Sequence, residues 1–243
     1  MDSQVDVRAG GPVDGPVDGQ GLAALLRSTT ARAHERAEGT PVVAALVEGR
    51  LPLAGYVDLL TRLHGVYAAL ETAAVAHRVD AVGATVTPPG LDRRAAIEGD
   101  LRVLAGDGWR DLLGPSPAGE EYVARVTQVA GGLGGWVAHA YTRYLGDLSG
   151  GRVLRGALRR HHGLPDDALR FYEFPDLPRP KLFKDEYRAR LDALPLGPEE
   201  RAGVAAEACV AFDLNTALLG ELGRRHLPAE ALTAPPGPAP AAG

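Results

Sequence analysis

The chain has 243 residues, of which 45 % are hydrophobic and 23 % are charged, values typical of a folded globular protein and unlike those of a disordered chain or a fibre. Its 26 basic and 31 acidic residues give a formal net charge of −5, which argues against a general affinity for nucleic acid. The single cysteine, Cys209, excludes an internal disulfide. Without an apolar run of 18 residues or a signal-peptide pattern, the sequence predicts a cytoplasmic protein with no membrane anchor.

Both ends of the chain are rich in glycine, proline or alanine. The repeat GPVDGPVDG occupies residues 11–19, and TAPPGPAPAAG occupies residues 233–243. Such compositions neither form regular elements nor bury an apolar face. We therefore expect residues 1–19 and 228–243 to be disordered tails, and residues 20–227 to form one domain.

Between the tails, apolar residues recur at the i, i+3, i+4, i+7 spacing of amphipathic helices. In chain order this pattern predicts helices over residues 22–37, 52–70, 91–105, 119–130, 136–162, 180–194 and 198–225. The glycine run 131–135 is expected to separate two of them, and the three prolines of 173–180 predict an extended connector. Strand-like alternation with hairpin turns is missing. The sequence therefore predicts an all-α, single multi-helical domain.

Several common functional motifs are absent from the sequence. It has no phosphate-binding glycine loop, no Glu-x-x-His pair of the di-iron bundles, and no His-Glu-x-x-His zinc motif. A single cysteine also argues against a thiolate zinc site. His161 and His162 stand next to each other at a predicted helix end, where interaction with the helix dipole is a better explanation than metal binding.

The most unusual segment is HAYTRYLGDLSGG, residues 139–151. It lies within a helical pattern but contains Gly146, Gly150 and Gly151, and each interior glycine costs a helix about 0.5–1 kcal/mol relative to alanine. Gly146 and Gly150 share one face, so another body can approach the backbone closely there, and the helix can kink. That body is either a neighbouring helix or a flat ligand.

Two charged residues accompany these glycines. Asp147 lies between them, and Arg143 precedes it by four residues. This spacing fits an ordinary ion pair on a helix surface, worth about 0.3–0.5 kcal/mol. It also fits an acid that organises water at a reaction centre beside the glycine face.

His34 is the best candidate for a metal ligand among the histidines. An isolated histidine on a helix is usually structural or simply exposed, but Glu38 follows His34 by one turn. A carboxylate at i+4 can accept a hydrogen bond from one ring nitrogen and leave the other free to bind a metal.

A third group consists of basic residues. Lys181, Lys184 and Arg188 share one face of the predicted helix 180–194, and the two lysines are the only ones in the chain. The face is either solvated or forms a clamp for ligand carboxylates. Arg27, two turns before His34, could join such a clamp.

These segments resemble those of the heme oxygenase family. The segment HAYTRYLGDLSGG is similar to the family signature, and His34 with Glu38 resembles its proximal heme-ligand segment. FKDEYRARLDAL, residues 183–194, is similar to the later basic helix, and AFDLNTALLGEL, residues 211–222, to the C-terminal helix. The resemblance covers residues 21–225. It implies a domain that holds heme between a proximal helix and a kinked distal helix.

The resemblance also implies roles for individual residues. His34 would bind the heme iron, while Asp147 would hold distal water together with Arg143 and Tyr67. The catalytic residues that it implies are Asp147, Arg143, Gly146 and Gly150. The residues that it implies at the heme group are Arg27, Glu38, Tyr141, Gly151, Lys184, Arg188, Phe212 and Asn215.

As the resemblance implies, heme (iron protoporphyrin IX) is both cofactor and substrate, and O2 with electrons from an external donor opens the ring to biliverdin, iron and CO. The sequence has no nicotinamide or flavin motif, so a separate reductase or ferredoxin is expected as partner, and the protein is expected to be a monomer. One alternative is a heme carrier or sensor without activity, which would not need Asp147 or the glycines. A helical enzyme of thiamin metabolism is a further alternative, but Cys209 fits a packed core position better.

Overall fold

The computed structural model describes residues 20–112 and 114–233, and this part of the chain is helical and contains no strand. The predicted all-α fold is confirmed. The helices are α1 (Leu22–Glu38), α2 (Pro41–Val47), α3 (Leu53–Arg78), α4 (Arg94–Ala105), α5 (Pro117–Val129), α6 (Leu133–Ala140), α7 (Gly146–His162), α8 (Pro180–Asp192), α9 (Pro198–His226) and α10 (Ala229–Thr233). A π-helical segment, Tyr141–Leu145, joins α6 to α7.

The long helix α9 lies at the centre of the fold and packs against α1, α2, α3, α5 and α6. By length and mean hydropathy it is the one described helix that could cross a membrane, but many of its apolar residues are buried against these neighbours. Glu200 accepts a hydrogen bond from the backbone N–H of Gly197 and thereby stabilises the beginning of the helix. The apolarity of α9 is therefore that of a core helix.

Helix α3 follows the pattern predicted for residues 52–70 and continues to Arg78. Tyr56, Leu60, Leu63, Tyr67 and Leu70 are all buried. Burial of each such side chain contributes about 1.5–3 kcal/mol. The extended backbone of Pro52 precedes the first turn, where its missing N–H costs little.

Two short helices are not predicted by the sequence pattern. The seven residues of α2 are too few to show a helical period. Helix α10 lies inside the predicted tail 228–243, and its Leu232 packs against the core. The rest of that tail, from 234, and the tail 1–19 lie outside the described residues.

The glycine run 131–135 does not separate the helices over its full length, because α6 begins at Leu133. A Cβ atom on Gly135 would lie 2.3 Å from the carbonyl oxygen of Val129. Glycine is thus required for the close approach of α6 to the end of α5. The helix predicted over 136–162 is likewise interrupted, because residues 141–145 adopt the wider π turn before α7 begins.

Candidate functional site

Asp147 lies in the first turn of α7 and accepts hydrogen bonds from two other elements. The hydroxyl of Tyr67 on α3 donates to Oδ2, and Nη2 of Arg143 in the π-helical segment donates to Oδ1 at 3.2 Å. The Arg143 and Asp147 side chains are only 11 % and 8 % exposed. The i, i+4 pair is therefore buried and is not the solvated surface pair that the spacing also allowed.

Arg143 extends this hydrogen-bonded group to α9. Its Nη1 donates to Oδ1 of Asn215 at 2.6 Å, and its Nε lies 3.3 Å from the Tyr67 hydroxyl oxygen. Burial raises the pKa of the Asp147 carboxyl, whereas Arg143 and the Tyr67 hydroxyl oppose that increase. We call Tyr67, Arg143, Asp147 and Asn215 the distal polar group. Asn215, expected only at the heme group, belongs to it.

Two glycines of α7 adjoin open space, and a third is packed against another residue. A Cβ atom on Gly146 or Gly150 would meet no atom of another described residue within 4 Å beyond the helix itself. Close packing of a neighbouring helix therefore does not explain these two glycines. A Cβ atom on Gly151, in contrast, would lie 3.0 Å from Cδ1 of Tyr172. Gly151 accommodates Tyr172 in the structure, and its expected place at the ligand stays a prediction.

His34 lies on the outer face of α1, with 48 % of its side chain exposed. Its Nε2 is 3.5 Å from Oε1 of Glu38, longer than an ordinary hydrogen bond, so the expected role of Glu38 in fixing the tautomer stays a prediction. Both groups remain solvated at this position. Phe212 instead contacts the imidazole edge to face, with ring centroids 5.5 Å apart.

Four other histidines make long-range polar contacts. Their partners are the Glu98 carboxylate for His64, the Ala130 carbonyl for His77, Glu207 for His139 and Asp58 for His226. His161 packs against Gly49, whose positive φ of 74° brings the two together. His34 makes no such long-range polar contact, and its half-exposed imidazole is accessible to a ligand.

Phe212 and Asn215 lie one turn apart on α9. Because Phe212 contacts His34 and Asn215 contacts Arg143, α1 and the π-helical segment that precedes α7 approach the same stretch of α9. His34 and the distal polar group thus both adjoin this stretch of α9. The expected placement of Phe212 near the heme ligand is compatible with this geometry.

Basic residues gather at one end of this region. Nζ of Lys184 on α8 donates to Oγ of Ser149 on α7 at 3.0 Å, and burial lowers the pKa of Lys184. Burial raises the pKa of the Tyr141 phenol, while the nearby charges of Arg188 and Arg27 oppose this increase. Helix α8 therefore brings cations to both α1 and α7. Lys181 is exposed and makes no polar contact with another described residue.

Sequence reasoning misses Arg93, Ser149 and Tyr172. Arg93 is buried and donates to three backbone carbonyls, those of Gly90, Leu91 and Glu173. Its charge favours the ionised form of Asp147. No local pattern marks these residues, because each acts on a partner far away in the chain.

The residues present fit an iron porphyrin. An open glycine face could accommodate a flat ring, cations would suit its propionates, and a solvated imidazole would suit iron as a ligand. Residues 20–112 and 114–233 contain no group of three or more His, Cys, Asp or Glu side chains that could hold a metal ion by themselves. A metal at this site would thus depend on the porphyrin nitrogens.

Known proteins share this fold. The family model described as heme oxygenase matches residues 20–221. Heme oxygenase 1 of Rattus norvegicus is 37 % identical over 207 residues, which are 84 % of this chain and 72 % of the rat protein. Heme oxygenase-1 of Synechocystis sp. PCC 6803, solved in complex with heme, superposes with a TM-score of 0.80 at 35 % identity and covers 85 % of this chain and 94 % of that one.

A second Synechocystis structure, heme oxygenase-2 in complex with heme and NO, also gives a TM-score of 0.80, at 34 % identity, over 85 % of this chain and 86 % of that one. Fold and site together define an all-helical protein with a buried acid beside two open glycines and with basic residues on α8. The chain belongs to the heme oxygenase family.

Proposed function

We propose that this protein binds heme between α1 and α7 and cleaves it oxidatively to biliverdin, iron and CO. The observation that carries this proposal is the placement of Asp147 between two open glycines. The buried carboxylate is hydrogen-bonded to Tyr67 and Arg143, beside a backbone that no other described side chain covers. A protein that only stores heme has no need of a fixed acid next to its ligand.

The proximal side would be formed by α1. His34 would bind the iron as neutral imidazole, and the Phe212 ring beside it limits the orientations of the imidazole plane. As a neutral ligand, His34 would donate less electron density to the iron than a thiolate would. Glu38, whose Oε1 lies 3.5 Å from Nε2 of His34, would be the nearest carboxylate to this ligand.

The propionates would lie at the basic end of the site. Lys184 and Arg188 on α8, with Arg27 on α1, supply positive charge, and the Tyr141 hydroxyl supplies a donor. Arg188 is held by Asp185 at 2.9 Å on the surface of α8, so binding of a propionate exchanges one carboxylate for another. Such contacts fix the in-plane orientation of the ring and thus the carbon that faces α7.

On the distal side, the heme supplies the iron at which O2 is activated and the ring carbon that is oxidised. Gly146 and Gly150 would let the ring lie close to the α7 backbone, because neither position carries a side chain. Asp147 accepts hydrogen bonds from Tyr67 and Arg143, and its remaining lone pairs can orient a water molecule that donates towards the ring. The distal polar group would thereby hold this water molecule in place and provide a route for protons.

We further propose that electrons come from a separate reductase or ferredoxin, that the protein acts as a monomer and that it is cytoplasmic. The proposed electron donor follows from the lack of a nicotinamide or flavin motif, and the proposed location from the single cysteine, which excludes an internal disulfide.

The direct test is optical. Hemin is added to the purified protein, followed in air by a ferredoxin, its reductase and NADPH, with catalase present to remove free peroxide. We expect a heme band that forms and then decays as bands of biliverdin and CO-bound heme appear. A heme complex that persists under these conditions would indicate a carrier or sensor, and failure to form any complex would refute the proposal.

A further inference from the structure

Asp100 is a buried acid that the proposed mechanism does not use. It lies in the middle of α4, and its residue is 0 % exposed. Its two carboxylate oxygens accept the backbone N–H groups of Arg170 and Phe171, each at 2.8 Å. These N–H groups belong to the first turn of the 3₁₀ helix Arg170–Tyr172, where backbone donors lack partners within the helix. Asp100 thus fastens this turn to α4.

The neighbouring residue, Gly99, serves the same junction. A Cβ atom on Gly99 would lie 2.7 Å from Nη1 of Arg170, so the guanidinium crosses α4 at the glycine. Gly99 and Asp100 therefore contact the same turn. Gly99 adjoins the Arg170 side chain, and Asp100 binds the backbone N–H groups. Burial raises the pKa of Asp100 to about 6, and the two N–H donors oppose this increase.

The 170–172 turn directs two rings towards the distal polar group. The Phe171 ring contacts the Tyr67 ring in a T-shaped geometry, with centroids 5.6 Å apart. The next ring, that of Tyr172, packs on Gly151 of α7 and is stacked on Tyr56 of α3. The turn therefore contacts the two elements that supply Tyr67 and Asp147.

The position of the Tyr67 ring determines where its hydroxyl points. Phe171 contacts the ring on one side, and Tyr144 contacts it on another, with centroids 5.6 Å apart. In a close-packed interior, a shift of Phe171 is transmitted to Tyr67, because no space is left to absorb it. The hydroxyl that donates to Asp147 would move with the ring.

We infer that Asp100 is a positioning residue for the distal polar group, which it orients by holding the N–H groups of the 170–172 turn and, through Phe171, the Tyr67 ring. This inference rests on the proposed function for its catalytic consequence. The structural part of it concerns the heme-free protein alone.

The first test is ¹⁹F NMR of the heme-free protein with its seven tyrosines replaced by 3-fluorotyrosine. The Tyr67 resonance is assigned by its loss in Tyr67→Phe. Asp100→Asn keeps the size of the side chain but offers an amide N–H₂ group to one of the two backbone donors. Phe171→Leu removes the ring and leaves Asp100 in place. We expect the Tyr67 resonance to move in both variants, and by no more in the double variant than in the larger single one.

Glu221→Gln is the matched control. The Glu221 carboxylate accepts the backbone N–H of Ala118 at 2.9 Å at the start of α5, and its side chain is 13 % exposed. It does not contact the 170–172 turn, so the Tyr67 resonance should stay in place. A Tyr67 resonance that is unchanged in folded Asp100→Asn would show that Asp100 only caps the turn, and would overturn the inference. If Asp100→Asn does not fold, Phe171→Leu decides: an unmoved Tyr67 resonance in that variant would overturn the inference as well.

The second test is turnover with hemin. We expect Asp100→Asn and Phe171→Leu to form biliverdin about 10-fold more slowly than the wild type, with the Kd for hemin changed less than about twofold, because misplacement affects reaction geometry more than ligand binding. Equal losses of affinity and rate would contradict a positioning role. If the wild type makes no biliverdin, the proposed function fails, and the NMR result still decides whether Asp100 positions Tyr67.

Discussion

Asp147 and Arg143 have a spacing that helices commonly place in solvent, but here the pair is buried. On a surface the pair would contribute about 0.3–0.5 kcal/mol. In this fold the carboxylate has two donors and the guanidinium has Asn215 as a second acceptor. Removal of one member leaves the other charge buried without its partner, so the energetic consequence is larger than the spacing suggests.

We therefore predict that Asp147→Ala retains hemin binding but forms biliverdin at least about 10-fold more slowly, because the acceptor that orders the distal side is lost. The variant should also have a free energy of unfolding lower by about 1–3 kcal/mol, since the Tyr67 hydroxyl and Arg143 lose a partner. Product analysis and denaturant titration measure the two effects. Asp213→Ala, which removes an exposed partner of Arg36, is the control and should change neither. A wild-type biliverdin yield from Asp147→Ala would contradict the assigned role.

For His34 we predict that His34→Ala loses the axial histidine and with it the low-spin or six-coordinate heme spectrum. Added imidazole should restore the spectrum, because removal of the side chain leaves a space beside Phe212. The control is His161→Ala, an exposed histidine at the far end of α7. Optical titration with hemin measures all three samples. An unchanged spectrum for His34→Ala would place the iron ligand elsewhere.

At the scale of the element, α7 combines poor helix propensity with an open surface. Gly146, Gly150 and Gly156 all have free space at the Cβ position, but only the first two adjoin Asp147. At Gly146 and Gly150, alanine would stabilise the helix, whereas glycine leaves room for a ligand to approach the backbone.

We therefore predict that alanine at one of these positions raises stability but impairs the handling of hemin. Gly150→Ala should raise the free energy of unfolding of the heme-free protein by about 0.5–1 kcal/mol, while weakening hemin binding or slowing biliverdin formation, because the added methyl group lies where the ring approaches. Gly156→Ala on the same helix should give the same gain in stability and leave hemin binding unchanged. Thermal unfolding and hemin titration of the two variants measure this. Equal behaviour of both variants towards hemin would remove Gly150 from the site.

The sequence predicts most elements, and it predicts them for a local reason. The apolar residues of α3 from Tyr56 to Leu70 are buried, and their spacing along the sequence is enough to identify the buried face of the helix. It does not predict the contact of Arg143 with Asn215, which are 72 residues apart, or that of Asp100 with Phe171, which are 71 apart. Nor does it predict that Tyr172 packs on Gly151 or that Glu38 is partly exposed, because distant residues and solvent decide these features.

At the scale of the whole molecule, Asp58 ties the first half of the chain to its C-terminal end. Its carboxylate on α3 accepts from Arg62 at 2.8 Å and from His226, the last residue of α9, at 2.9 Å. Burial disfavours the ionised form, but the hydrogen bonds from His226 and Arg62 outweigh burial, and the pKa of Asp58 lies below its usual range. Arg225 also lies 3.6 Å from this carboxylate.

Because the folded state lowers this pKa, the stabilisation is fully present above the pKa of the unfolded chain and is lost as pH falls through that of the folded state. We predict that Asp58→Asn is less stable than the wild type by about 1–3 kcal/mol at pH 7, and that the difference shrinks as pH is lowered from about 5 to about 3. Denaturant titrations across this range measure it. A difference that is constant with pH would show that the Asp58 charge contributes nothing.

The π-helical segment Tyr141–Leu145 has a consequence for chain length. One residue advances an α-helix by about 100°, so a single extra residue between α6 and α7 rotates everything that follows by that angle. Trp136 faces the core before the segment, and Gly146 and Gly150 face outward after it. Deletion of one residue from 141–145 would restore a regular helix but turn Asp147 away from Tyr67. The contact between Asp147 and Tyr67 therefore requires a fixed number of residues between Trp136 and Asp147, as well as the right residue types.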